Sequence, residues 1–270
     1  MRETTPPMRR TGGSPRLRIM GEIDVSGTVQ PLSDQQTAVI AVLQCCGPIG
    51  RSGLINALWD GVAISDQRVA NLMAEVRAKI GREHLPDPVD GRYRLVGIQT
   101  DLHRFVDEIH SLTAAPQPLD AVGLTRLRRV TALVRGVPLS GRQGRNWAWL
   151  DHRPGLVSYA EATIADGAQQ LSALAQGSGD TATATAALEA GLLGCPFDEA
   201  LIGRLVELYI NQRRPGTAAR AVDAWERGIR RLDCGEPSPG PRKRLRAAAR
   251  SLSDDQAVAI GSAVTTRLPR

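Results

Sequence analysis

The segment DQRVANLMAEVRAKI, Asp66 to Ile80, holds the side chains of this 270-residue sequence best suited to read another molecule. Val69, Leu72, Met73, Val76 and Ile80 recur at helical spacing and define a buried face. At about 100° per residue, Gln67, Asn71, Ala74 and Ala78 then point away from that face. Side-chain amides can pair with N6 and N7 of adenine in the major groove, and a small alanine can meet a thymine methyl. Arg68, Glu75 and Lys79 fall on one flank of the stripe and Arg77 on the other. Arg68, Arg77 and Lys79 are placed for phosphates, contacts that position a helix without specifying sequence. Glu75 opposes phosphate approach, although a carboxylate can accept from a cytosine amine. A short DGRYRL stretch follows, in which Arg92 and Arg94 alternate with apolar residues and can reach a backbone or a minor groove.

Other chemistry lacks its spacing. His84, His103, His110 and His152 form no H-E-x-x-H pattern, and Cys45, Cys46, Cys195 and Cys234 form no C-x-x-C. No G-x-S-x-G occurs, and Gly177-Ser178-Gly179-Asp180 lacks the lysine and the length of a phosphate loop. No catalytic residue, metal ligand or cofactor is expected, and the chain is read as a non-enzyme. Asp198-Glu199 reads as a helix N-terminus stabilised by acidic charge. Trp59, Trp147 and Trp149, surrounded by apolar neighbours, read as packing residues.

The elements that must position the amide stripe are marked by local signals. Residues 17–20 and 23–25 read as a short strand or hairpin around Gly21. Ser33 with Gln36 forms a capping box for a first helix reaching about Cys46. Ser52 is a candidate cap for a second helix, which ends near Asp60-Gly61, and Ser65 for the third, stopped by Gly81. The hairpin at Asp90-Gly91 comes next, then a helix with Leu102, Phe105, Val106 and Ile109 on one face. A proline-bearing break, TAAPQPLD, separates this unit from a region of helical pattern over about 119–135, 155–176, 180–193, 198–212, 215–232 and 242–252. Helix pairs with short turns resemble a tetratricopeptide-type stack, and TATATAALEAG suits close helix–helix approach.

The apolar fraction of 42% supports a folded core, and aromatics at 3% leave that core to Leu, Val, Ile and Ala. Residues 1–112 carry 13 basic and 13 acidic side chains, so the net charge of +6 arises downstream, chiefly in residues 235–270, with 7 basic and 3 acidic. No run of about 18 apolar residues is present, the N-terminus has no apolar signal core, and cysteine usage fits reduced thiols. The expected compartment is the cytoplasm.

The order LINALW, VANLMAEVRAKIG, DGRYRL, TDLHRFVDEI resembles the response-regulator type of winged helix found in actinobacterial antibiotic regulatory proteins. Leu58-Trp59, Val76-Arg77-Ala78-Lys79-Ile80-Gly81 and Gly91-Arg92-Tyr93 stand at the family's Leu-Trp, helix-ending and wing positions. Downstream, ALVRGVPL, NWAWLD and AALEAGLLGCPFDEALIGRLVELYINQRRPGTAARAV are similar to the bacterial transcriptional activator domain, with Cys195-Pro196-Phe197-Asp198-Glu199 matching its Pro-x-x-Glu segment. The resemblance spans about residues 16–250. The sequence departs from it at Glu75 and Ala78, where the family often has a cation, and at Arg92, where it has glycine. With the neutral first half, these departures predict weak intrinsic DNA affinity.

The resemblance implies a mainly α protein: an N-terminal winged helix-turn-helix (α+β), then an all-α tetratricopeptide-like domain. The expected domains are a disordered basic arm over 1–15, the winged helix over 16–112, the helical activator domain over 118–252 and a tail over 253–270. The implied function is a DNA-binding transcriptional regulator, an activator, with Gln67, Arg68, Asn71, Arg77, Lys79, Arg92 and Arg94 on DNA. Expected partners are double-stranded DNA and, through the helical domain, RNA polymerase or another regulatory protein. No membrane partner is expected, and a homodimer is compatible with the sequence. The alternative is a protein-interaction adaptor whose winged helix is a structural module with little DNA binding.

Overall fold

The computed structural model describes residues 14–231 and 236–247. Most of the basic arm, Cys234 and the tail over 253–270 lie outside them. The described chain forms two compact units: 14–108 with 135–163, and 109–134 with 164–231 and 236–247.

The first unit is a winged helix-turn-helix. Strand β1 (Arg16–Arg18) alternates so that Leu17 is buried, and it pairs antiparallel with β2 (Asp24–Ser26), Leu17 opposite Val25. On its other edge β1 pairs in parallel with β5 (Gln99–Thr100). Helix α1 (Asp34–Cys46) starts at the expected capping box: Ser33 Oγ accepts from the Gln36 N–H, and Gln36 Oε1 accepts from the Ser33 N–H. Strand β3 (Ile49–Gly50) leads into α2 (Arg51–Trp59), and α3 (Asp66–Ile80) follows. The α2 N-cap is Gly50 with no side-chain bond, so the helix begins one residue ahead of Ser52, the candidate cap. Strand β4 (Arg92–Tyr93) pairs antiparallel with β3, and α4 (Asp101–Thr113) follows β5 directly.

The segment 135–163, read from the sequence as part of the helical domain, belongs to the first unit. Its attachment combines backbone and side-chain bonds. The Arg135 N–H donates to Met20 O at 2.7 Å, Leu139 N–H to Ile19 O at 2.8 Å and Ser140 N–H to Gly21 O at 3.2 Å. Glycine is required at position 21, because its φ is +141° and a Cβ there would lie 3.0 Å from that of Arg135. Buried Asp101 accepts from the Ile19 N–H at 2.7 Å, from the Met20 N–H and from Arg135 Nη2. Asp34, on the first turn of α1, accepts from the Trp147 indole, the Asn146 amide and Arg142. Trp147 and Trp149 lie on a short 3-10 helix (Arg145–Leu150) packed against α1 and α2, and both are buried, as packing tryptophans should be.

The second unit is all helical. It contains α5 (Ala121–Thr131), the part of α6 (Pro154–Gly177) from Ile164 onward, α7 (Thr181–Gly194), α8 (Glu199–Asn211), α9 (Pro215–Arg231) and a helical stretch over 240–247. Helices α7, α8 and α9 pack in sequence, the helix-pair arrangement that the turn spacing predicts. A Cβ at Gly191 would sit 2.6 Å from that of Ala168, so the small residues of α7 are what let it approach α6. Asp180 and Asp198 cap α7 and α8 through the Thr183 and Leu201 N–H groups. The Thr183 hydroxyl and N–H, then Arg128, hold the Asp180 carboxyl down at about 2. Arg242 forms a bidentate pair with buried Glu226, fastening 240–247 to α9, and this bond holds the Glu226 carboxyl below its ordinary value.

Candidate nucleic-acid interface

A tight turn aims α3. Asp60 (φ 53°) and Gly61 (φ 72°) take left-handed conformations, which end α2 and reverse the chain. Arg51 then pins the turn, donating to Ile64 O at 3.0 Å and pairing with Asp66 on the first turn of α3. Ser65 caps α3 as expected, its Oγ accepting from the Arg68 N–H at 3.3 Å. Val69, Leu72, Met73, Val76 and Ile80 are all buried, which fixes the opposite face outward.

On the N-terminal half of α3, Gln67, Arg68, Asn71 and Ala74 are exposed. Gln67 Nε2 donates to Asn71 Oδ1 at 2.7 Å, so the two amides are ordered on one another across a single helical turn. The Arg68 guanidinium makes no hydrogen bond or ion pair among the described residues, and its N–H alone is engaged.

The C-terminal half is occupied inward. Arg77 Nε donates to Leu85 O at 2.7 Å and Nη2 to Pro86 O at 3.2 Å, with Asp87 3.4 Å away. Leu85 is 0% exposed, so its carbonyl has few other donors, and Arg77 joins the end of α3 to the turn before the wing. The hydrogen bond from Arg82, then the charges of Arg82 and Arg77, keep the Asp87 carboxyl below its usual range. Lys79 Nζ donates to Pro31 O and to Gln36 Oε1, each at 2.7 Å. Gln36 Nε2 donates to Glu75 at 2.9 Å, so the buried Gln36 amide ties the start of α1 to both Glu75 and Lys79.

The wing is a tight hairpin. Val89 and Arg92 exchange both backbone bonds (3.1 and 2.9 Å) around Asp90 (φ 50°) and Gly91 (φ 69°), the two-residue turn with positive φ at both central positions. The strand is shorter than DGRYRL suggests, but the alternation holds, with Arg92 and Arg94 exposed and Tyr93 and Leu95 half-buried. Register places Arg92 opposite Gly50, where Nη1 reaches Pro48 O at 3.5 Å. The Arg94 side chain makes no hydrogen bond or ion pair among the described residues.

Of the seven residues singled out in the sequence, the structure thus brings Gln67 and Asn71 into contact and leaves Arg68, Arg92 and Arg94 outward. Arg77 it commits to backbone carbonyls, and Lys79 to the Pro31 carbonyl and the Gln36 side chain. Two further residues organise this face. Gln36 was visible only as the last residue of a capping box, and Arg51 carries no local signal. Burial pushes the Cys45 thiol up to about 12 and raises that of Cys46, the direction of unreactive thiols. His84 and His103 bond to Val96 O and Thr100 Oγ1. Among the described residues no group of three or more His, Cys, Asp or Glu is gathered to hold a metal, and no helix is long and apolar enough to cross a membrane.

No family model matches the sequence, and no curated protein matches it significantly. Among solved structures, Mycobacterium tuberculosis EmbR in complex with low affinity phosphopeptide aligns with a TM-score of 0.54 at 22% identity, covering 94% of this chain and 71% of that one. This likeness covers both units and shows the fold, a small winged domain with a helical domain, like EmbR.

Proposed function

We propose that the protein is a cytoplasmic transcriptional regulator of the type found in actinobacterial antibiotic regulatory proteins, an activator that docks α3 in the major groove of promoter DNA. Gln67, Arg68 and Asn71 face the groove and its phosphates, while Arg92 and Arg94 bring the wing to the backbone. Arg77 and Lys79 act by fixing the helix. The helical unit offers its surface to RNA polymerase or another regulatory protein, and no chemistry is done on the DNA.

The observation that carries this reading is the exposed N-terminal half of α3, whose ordered amides and unengaged Arg68 are the equipment of base and phosphate contact. The test is fluorescence anisotropy of the full chain on duplex DNA over a salt series. Binding should weaken with salt, and the Arg68→Ala, Arg94→Ala pair should flatten the log–log slope by about two units.

The adaptor reading has its own support. Arg77 and Lys79 are consumed internally, and the carboxylate of Glu75 stands on the flank of the stripe. Absence of duplex binding at low salt would favour it.

A further inference from the structure

We infer that α3 is an adenine reader in which Asn71 makes the base contact and Gln67 sets the orientation of its amide, an inference that rests on the DNA-binding reading above. The Gln67 amide donates to Asn71 Oδ1 at 2.7 Å and both side chains are exposed. That bond distinguishes the two ends of the Asn71 side chain, because an amide oxygen accepts and an amide nitrogen donates. Asn71 Oδ1 retains a second lone pair, and Nδ2 retains both protons. An oxygen that accepts beside a nitrogen that donates is the complement of adenine N6–H and N7. Guanine presents two acceptors at the corresponding edge, O6 and N7, and cannot satisfy the oxygen. Ala74, exposed three residues on from Asn71, carries only a methyl group and does not crowd a base, and the Glu75 carboxylate four residues on accepts from the Gln36 amide at 2.9 Å. The rotamer freedom that an exposed asparagine would lose on DNA is already reduced in the unbound protein. Gln67 is therefore a positioning residue, acting through Asn71 and not on the base.

The two amides consequently have unequal and predictable effects. A glutamate at position 67 has no proton to give and accepts from Asn71 Nδ2 instead, turning the amide and reversing its donor and acceptor. A lysine at the same position can still donate to Asn71 Oδ1.

The experiment selects sites from a randomised duplex library with the full chain. Affinity is then measured on the best site with adenine, guanine or 7-deazaadenine at each enriched adenine. The expected result is one adenine whose replacement by guanine weakens binding by about tenfold or more, and whose 7-deaza form, lacking the N7 acceptor, weakens it by about fivefold. Asn71→Ala should erase both differences. Gln67→Glu should reduce the adenine preference although Asn71 is intact, and Gln67→Lys should keep it. A merely structural role for Gln67 would lower affinity on every base alike. Selected sites without a fixed adenine, or an adenine preference that survives Asn71→Ala, would overturn the inference and leave the DNA-binding reading standing. Equal adenine preference in Gln67→Glu and the unaltered chain would remove Gln67 from it. Failure to bind any duplex would sink both.

Discussion

The two halves of α3 carry similar polar and charged side chains and use them in opposite ways. In the N-terminal half Gln67, Arg68 and Asn71 are exposed, and their contacts stay on the helix. In the C-terminal half Glu75, Arg77 and Lys79 reach to Gln36, Pro31, Leu85 and Pro86. The difference lies in what surrounds each half. The C-terminal half runs past two stretches of irregular backbone whose carbonyls need donors, and the nearest long cations supply them. The N-terminal half follows a turn whose groups are met by Ser65 and Arg51, so Gln67, Arg68 and Asn71 make no contact beyond their own helix and its cap. Charge on a helix is thus a poor guide to contact unless the backbone around it is known.

This contrast can be broken by mutation. Arg77→Ala should give the largest effect, lowering stability by about 1.5–3 kcal/mol because a buried carbonyl loses a charged donor. Chemical denaturation measures that loss, while the salt slope of duplex binding should stay as it was. A flatter slope with unchanged stability would put Arg77 on DNA and end the comparison. Lys79→Met should cost about 1 kcal/mol by the same measurement, since one of its bonds is exposed. Glu75→Arg should sharpen the contrast from the other side. It sacrifices the Gln36 bond for about 1 kcal/mol, yet steepens the salt slope by about one unit by replacing an anion beside the phosphates. An unchanged slope there would mean this flank does not meet DNA. Arg68→Ala should be the mildest, leaving the melting temperature in place and flattening the slope by about one unit on specific and random duplex alike.

Elements whose signals are local were legible in the sequence. Ser33 and Gln36, Ser65, Asp90-Gly91 and the apolar spacing of Val69 to Ile80 each act within a few residues, so type and position suffice. The helical wheel also gave the outward direction of Gln67 and Asn71 correctly. Periodicity states a direction and says nothing of what stands there. Arg77 and Lys79 were therefore expected at phosphates, while in the fold they meet carbonyls of segments that no spacing rule connects to them. The attachment of Arg135, Leu139 and Ser140 to residues 19–21 was illegible for the same reason. It is made of backbone groups, which every residue carries, joined across more than a hundred positions.

That attachment bears on how the protein is made. The winged helix is a discontinuous unit whose last components, the Trp147 and Trp149 turn among them, are synthesised after Ile109–Val134 of the other unit. A ribosome-bound chain that has released residues up to Glu108 still has the carbonyls of Ile19, Met20 and Gly21 waiting for donors, and Asp34 waiting for an indole. Folding of the first unit therefore completes only when Arg135–Thr163 has left the exit tunnel, and at about 5–20 residues per second that delay lasts several seconds. Translation imposes on this chain an obligatory interval in which α1 and α2 have been released and the 3-10 turn that packs on them is missing.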